Sequence, residues 1–470
     1  MQRGSVQYLF KYAGDPETPG VASTLDLPDS ARVSPDGNQP HIISIPISYH
    51  DAAPILEALK GPDVPDGWQG ALPFHYHVGG AGAVKVHLVS DQDYQRRIIW
   101  DVIGKVQGSE EPDAWVVAGN HRDAWVYGAV DPSSGTAAML ETVHGLGALL
   151  KQGWRPKRTI VMCSWDAEEE GLIGSTEWVE QNAARMERAV AYFNMDVAVS
   201  GPNFSADAVP SLKEFIRAVT EAVPSPKGGT VYEQWKNATA GGRQGVRAGG
   251  ADMVRIGDLG SGSDFTPFLQ HEGVPSTDVG SGGPYGVYHS AFDDYAWFTQ
   301  NADPKFVYLQ EMARVFGLEV LRMADADVLP YDYPAYAMEI TNYLGTAKRK
   351  AAEDGLGTLD FGPAEAAAAR LRAAAEKVHK QQETAAGDLA GLNLRLRETE
   401  NAFLSAQGLP NRPWYRHTIY APGAYTGYAA VVIPGVNEAL DARDAARAAG
   451  QLTVLTEALD RAAQTLDRAH

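Results

Sequence analysis

Residues 159–174 read TIVMCSWDAEEEGLIG. An apolar, β-branched run of strand length ends in four carboxylates within five residues, Asp166, Glu168, Glu169 and Glu170, before glycines punctuate a stretch that turns helical. Carboxylates at the carboxyl end of a core strand face the crevice in which open α/β sheets hold their ligands. Alone, the acidic loop is accounted for equally well by a solvated surface, so its reading rests on what stands at equivalent places along the chain.

Two other runs repeat the pattern. AWVVAGN precedes His121 and AVAYFNM precedes Asp196, so three apolar strands each deliver a metal-competent residue at the carboxyl end. From about residue 96 to 325 such strands alternate with amphipathic helices, which predicts an α/β sheet covered on its faces. In DPSSGTAAMLETVHGLGALL a helix begins, and Asp131 by itself reads most simply as its cap. Residues 1–95 are rich in Pro, Gly and short β-like runs (HIISIPIS, AVKVHLV) and predict a small β-rich unit. Residues 326–470 have helix-forming composition with apolar spacings of three and four, which predicts a helical domain in which strands have stopped. Its Ala-rich faces suit internal packing or an oligomer surface.

Composition bounds the function. The 470 residues are 44% hydrophobic, enough for a large core and two or three domains. A formal net charge of -19 argues against nucleic acid or an anionic membrane as main partner, because phosphates are held by clustered Lys and Arg. The single cysteine, Cys163, lies inside an apolar run and reads as a small buried hydrophobe. No segment has the length of a transmembrane helix, and the first residues do not begin a signal peptide.

Several apparent motifs carry no chemistry. His75 and His77 in FHYHVGG alternate as on one strand face, a spacing metals can use, but no carboxylate or cysteine cluster accompanies them. His379 and His417 likewise read as structural. His121-Arg122-Asp123 lacks the Gly-rich nucleotide loop and the Asn of a kinase. Gly260-Ser261-Gly262-Ser263-Asp264 is too short for a phosphate cradle and reads as a loop lining a cleft.

His121, Asp131, Glu169, Asp196 and His289, the last in GGPYGVYHS, supply two imidazoles and three carboxylates. That suffices for two zinc ions sharing one bridging carboxylate, each with one His and one terminal acid. Three carboxylates and a bridging hydroxide balance the four positive charges. Paired metals lower the pKa of a bridging water, polarise a carbonyl and clamp the attacking and leaving oxygens. Glu168, next to a ligand but pointing elsewhere, remains as general base.

GNHRDAWVYGAVDPSSG, SWDAEEEGLIGSTEW, NMD and YHS resemble the motifs of the co-catalytic zinc peptidases related to glutamate carboxypeptidase II, a family that also includes the transferrin receptor. The similarity runs from QRG and AGDPETPG near the start to LPNRPWYRHTIYAPG near the end. It implies that His121 and Asp196 bind one zinc, Glu169 and His289 the other, and that Asp131 bridges them, followed by a cis peptide. It further implies Glu168 as proton shuttle, Asp123 as an acid orienting His121, and Tyr288 as a group polarising the scissile carbonyl. Ser261, Gly262, Ser263 and Tyr428 fall at substrate-binding places. Glu177 and Glu180 match acids of a structural calcium site, but the loop after Gly20 that should complete it departs from the pattern, which leaves calcium in doubt.

The fold implied is an aminopeptidase-like zinc peptidase domain (96–325), preceded by part of a protease-associated apical domain (1–95) and followed by a helical dimerisation domain (326–470), hence a homodimer. The chain is expected to begin midway through the apical insert, and the family points to an extracellular or periplasmic setting. Two functions compete: a zinc-dependent exopeptidase acting through a metal-bridging hydroxide, and a transferrin-receptor-like binding protein without a working centre. All five ligands and the base are kept, which favours the enzyme. Carboxypeptidase and aminopeptidase both remain open. A glutamate-specific site is not expected: Gly427 and Lys11 replace a lysine and an asparagine of the glutamate-releasing members, and arginines near Ala206 and in PSTDVGS are absent.

Overall fold

The computed structural model describes residues 1–80, 84–241, 254–385 and 387–468. Among them lies a six-stranded sheet in the order β1-β3-β2-β4-β6-β5. Its strands are β1 Val102–Val106, β2 Glu111–His121, β3 Arg158–Trp165, β4 Ala189–Asn194, β5 Asn203–Ala208 and β6 Ser276–Gly282. The four inner strands run parallel and both edges are antiparallel. Parallel strands covered on both faces carry unbroken apolar runs, and β3, β4 and the second half of β2 are buried almost throughout. Edge strand β5 instead alternates exposed and buried residues.

Register sets the place of the chemistry. His121 pairs with Trp165 and Gly119 with Asn194, so β2, β3 and β4 end nearly level. The helix Ser133–Lys151 starts against those ends. A Cβ on Gly135 would lie 2.2 Å from the Asp196 carbonyl oxygen and 2.3 Å from Asn120 Nδ2, so glycine alone lets the first helical turn come so near. This helix and Val307–Asp325 pack on one another and on the sheet. Cys163 is buried and free, as its apolar context predicts.

The remainder after Asp325 is helical: Tyr333–Glu353, Gly362–Thr384, Leu389–Asn401, Pro434–Asp441 and Ala445–Asp467. Gly362–Thr384 and Ala445–Asp467 lie side by side in the same direction, joined by Arg370–Asp460 at 2.7 Å and Lys377–Asp467 at 2.8 Å. Ala367, Ala368, Ala374, Ala375, Ala458, Ala462 and Ala463 are buried, so the Ala-rich faces serve packing within the chain. Strands do not stop entirely: β7 Tyr420–Pro422 pairs with β8 Ala430–Val432. Three-residue strands leave no periodicity to read in a sequence. Beneath them His417 accepts the N–H groups of Ile419 and Tyr420 on Nδ1 and meets Glu400 with Nε2 at 3.0 Å, a buried structural role.

The N-terminal region differs from expectation. HIISIPIS forms no strand, nor do residues 84–89 of AVKVHLV, whose first residue lies outside the described ones. A strand needs a partner for its backbone groups, and here the side chains stay in solvent, with Ile42 80% exposed. Among the described residues before residue 96, regular structure comprises the helix Tyr49–Ala58, the short 3-10 turns Asp29–Ala31 and Pro35–Gly37 and an isolated antiparallel bridge between Asp63 and His77. Tyr12 and Ala13 nevertheless enter a small core with Leu172, Leu409, Trp414 and Tyr415, tying this region to the other two.

Candidate metal centre

Two histidines from separate elements converge on shared carboxylates. His121, 1% exposed at the end of β2, places Nε2 2.9 Å from Asp196 Oδ1, 3.3 Å from Asp131 Oδ1 and 3.8 Å from Glu168 Oε2. His289 places Nε2 3.0 Å from Asp131 Oδ2 and 3.1 Å from Glu169 Oε2. Each oxygen of Asp131 thus faces a different imidazole. The cap reading of Asp131 fails: Pro132 stands at the helix N-cap, no side chain caps the helix, and the Asp131–Pro132 peptide is cis. The carboxylate turns into the cleft instead.

Both rings are oriented through the other nitrogen. His121 Nδ1 meets the Asp123 carbonyl oxygen at 3.1 Å, and His289 Nδ1 meets that of Arg3 at 3.0 Å, which leaves each Nε2 toward the acids. Asp123 also accepts the N–H groups of Glu168 and Glu169 at 3.1 and 3.0 Å. One acid therefore shapes the whole turn after β3, in which Ala167 and Leu172 adopt positive φ. Glu168 and Glu169 diverge there toward different histidines, so Glu168 points into the centre rather than away from it.

Electrostatics show a demand for positive charge. Burial alone would lower the pKa of His121, but the charges of Asp196 and Glu168 outweigh it and raise the imidazole well above its ordinary value. His289, opposed by burial in the same way, is raised to about 10 by hydrogen bonds to Asp131 and Glu169. Burial would raise Asp131, yet the two imidazoles hold it down at about 2. Glu168 is raised well above the carboxylate range, chiefly by burial, with His121 opposing and Asp196 and Asp264 reinforcing. Glu169 Oε1 is buried with no hydrogen-bond partner among the described residues, an acceptor left for a cation. Two groups here are metal-competent, His121, Glu168 and Asp196, and Asp131, Glu169 and His289. Mixed imidazole and carboxylate donors suit zinc.

The remaining expected residues surround this centre unevenly. The Tyr288 ring stacks on His289 at 3.6 Å, and its hydroxyl pKa is raised, first by burial and then by Asp131. Gly262, at φ +94°, lies beneath the Tyr428 ring, where a Cβ would come within 2.5 Å. Burial and then the charges of Glu168 and Glu169 push the Tyr428 hydroxyl up to about 12, so that it shares the cleft. Ser263 is spent otherwise: its Oγ donates to Asp196 Oδ2 at 2.7 Å and accepts from Asn194 at 2.9 Å, orienting a carboxylate rather than facing substrate. Ser261 is buried, and its N–H donates to the Tyr428 carbonyl oxygen at 2.9 Å.

Glu177 and Glu180 are enclosed by donors. The N–H groups of Asp15 and Ser23 reach Glu177 at 2.7 and 2.5 Å, and those of Gly20 and the Trp414 indole reach Glu180 at 3.0 and 2.9 Å. Calcium needs oxygen ligands, and the amide donors do not fit it. Sequence reasoning missed Asp293, which accepts the N–H groups of Val130 and Asp131 at 2.8 and 3.1 Å and the Tyr285 hydroxyl at 2.8 Å. Its only signal was an acid four residues after His289.

An α/β sheet whose strand ends gather two His-and-carboxylate groups defines a metallopeptidase-like architecture. Residues 101–309 match Peptidase family M28, and residues 359–467 match the transferrin receptor-like dimerisation domain. The chain is 42% identical to a "Probable glutamate carboxypeptidase" of Arabidopsis thaliana, over 92% of this chain and 61% of that one. It is 40% identical to a protein of the same name from Arthroderma benhamiae, over 100% of this chain and 65% of that one. An aminopeptidase of Rattus norvegicus is 34% identical, over 99% of this chain and 66% of its own. The chain thus spans 61% to 66% of the length of these relatives. Among the described residues, no helix is long and apolar enough to cross a membrane.

Proposed function

We propose that the chain is a zinc-dependent exopeptidase that hydrolyses a terminal bond of small peptides. The observation that carries this reading is the placement of Asp131 between two histidines, with one oxygen at 3.3 Å from His121 and the other at 3.0 Å from His289. His121 and Asp196 would hold one ion, Glu169 and His289 a second, and Asp131 both. When bound, such a pair supplies an activated water and a polarised carbonyl.

The protein's own groups account for the rest. Glu168 is farther from His121 than either Asp196 or Asp131, which leaves it as the group to take a proton and return it to the leaving amine. Tyr288, kept protonated, donates toward the carbonyl oxygen as charge develops there. Tyr428 and the Gly262 backbone wall the cleft. Retention of these groups favours catalysis over a binding role like that of the transferrin receptor.

The site favours neutral or apolar peptides over acidic ones. Discrimination for a carboxylate side chain needs a fork of buried donors, and Lys11 is committed elsewhere, to the Gly37 carbonyl at 2.9 Å. Elemental analysis together with Asp-Glu and Ala-Leu dipeptides tests the proposal. N-acetyl and C-amide forms of Ala-Leu then separate carboxypeptidase from aminopeptidase action. Absence of zinc, or no hydrolysis of any of these peptides, would remove the reading; a clear preference for Asp-Glu would remove its specificity part.

A further inference from the structure

Far from the metal centre, at the other end of β2, a cavity of about 510 Å³ opens between the sheet and the helical domain. Glu111 lines it at the start of β2, and His121 ends the same strand, so the two sites are about 30 Å apart at ~3.3 Å per residue. Arg397 of the helix Leu389–Asn401 reaches the cavity from the helical side. Its guanidinium has no hydrogen bond or ion pair to any described residue, and Nε is buried. Arg158 also has a buried Nε without a partner, but its terminal nitrogens donate to Met323, Ala326 and Glu111, which those of Arg397 do not match. Arg397 is half-buried, with the charges of Glu398 and Glu111 acting on it but no described acceptor at hydrogen-bonding distance, so it offers the cavity a donor fork for a group that supplies one.

The rest of the lining says what kind of group. Three of its acids are already paired: Glu111 with Arg158 at 2.7 Å, Asp113 with Arg185 at 2.7 Å, and Glu398 with Arg468 at 3.0 Å. Glu187, also in the lining, has no ion pair among the described residues. Phosphate or another multiply charged anion would meet these carboxylates and be repelled. Arg188, also in the lining, shares Asp113 at 3.5 Å. Among the described residues that leaves one cation and one anion of the lining without an ion pair, which suits a zwitterion, and Pro112, Ala114 and Leu394 provide an apolar wall. We propose that this cavity binds a free α-amino acid with a neutral, apolar side chain, its carboxylate on Arg397 and its ammonium on Glu187. The site rests on these residues alone, whatever reaction the metal centre performs.

Calorimetric titration of the zinc-loaded full chain with L-leucine tests it. One binding event per chain is expected, weakened by about tenfold or more in Arg397→Gln, where the charged fork is lost, and weakened in Glu187→Gln. Leucinamide, lacking the carboxylate, and N-acetyl-leucine, lacking the ammonium, should each bind at least about tenfold more weakly than leucine. Arg397→Gln should fold and hydrolyse peptide as the parent does, since Arg397 pairs with nothing described. No binding of leucine, equal binding by parent and Arg397→Gln, or acetate binding as tightly as leucine would overturn the proposal.

Discussion

Asp293→Ala separates a positioning acid from the ligands it supports. Asp293 is 2% exposed and holds the Val130 and Asp131 amides and the Tyr285 hydroxyl at 2.8, 3.1 and 2.8 Å. Alanine leaves two buried amides without an acceptor, at about 1–3 kcal/mol each, so a loss of roughly 2–6 kcal/mol is expected in chemical denaturation. Function should suffer beyond stability. The Asp131 oxygens sit 3.3 and 3.0 Å from the two imidazoles, and a shift of about 1 Å in such a group costs on the order of 10²-fold in turnover. The assay is Ala-Leu hydrolysis and bound zinc, measured well below the variant's melting temperature. Asp293→Asn, which keeps one acceptor oxygen, should recover part of both. An Asp293→Ala protein with full zinc and turnover within about twofold of the parent would refute the reasoning.

Asp131→Ala should lose both ions and all activity, whereas Glu168→Ala should retain metal by elemental analysis and lose turnover; near-normal hydrolysis by Glu168→Ala would sink its role as base. The pair Glu177 and Glu180 should make stability fall as pH rises: burial, the first cause for both, raises them to about 7 and about 8. The folded state therefore binds more protons than the unfolded one, and the stabilisation present below the ordinary glutamate range is lost as pH climbs through about 7 to 8. Thermal melts at pH 6 and 8.5 should show that fall, flattened in Glu180→Gln and not reversed by millimolar calcium; a melting point that rises with pH would contradict it. Sedimentation should give a mass near twice the 50.5 kDa chain, because residues 359–467 match a dimerisation domain; a monomer at micromolar concentration would count against pairing.

How much of this was legible in the sequence follows from how each signal is encoded. The inner strands announced themselves because parallel strands buried on both faces are apolar throughout, and the ligand candidates because each stood directly after such a run. His121, Glu168, Glu169 and Asp196 could thus be named before any fold was known, and the Ala-rich helices could be placed by their spacing alone. What the chain could not declare locally was partnership. For Asp131 the local pattern offered a cap and the resemblance a bridge, and only the folded arrangement set its two oxygens against two histidines; it also brought Asp293 beneath it from more than 160 residues away and committed Ser263 to Asp196. The same limit explains the misread N-terminal runs: β-like composition states a preference, but a strand exists only where a neighbour accepts its hydrogen bonds, and for HIISIPIS the structure supplies none among the described residues.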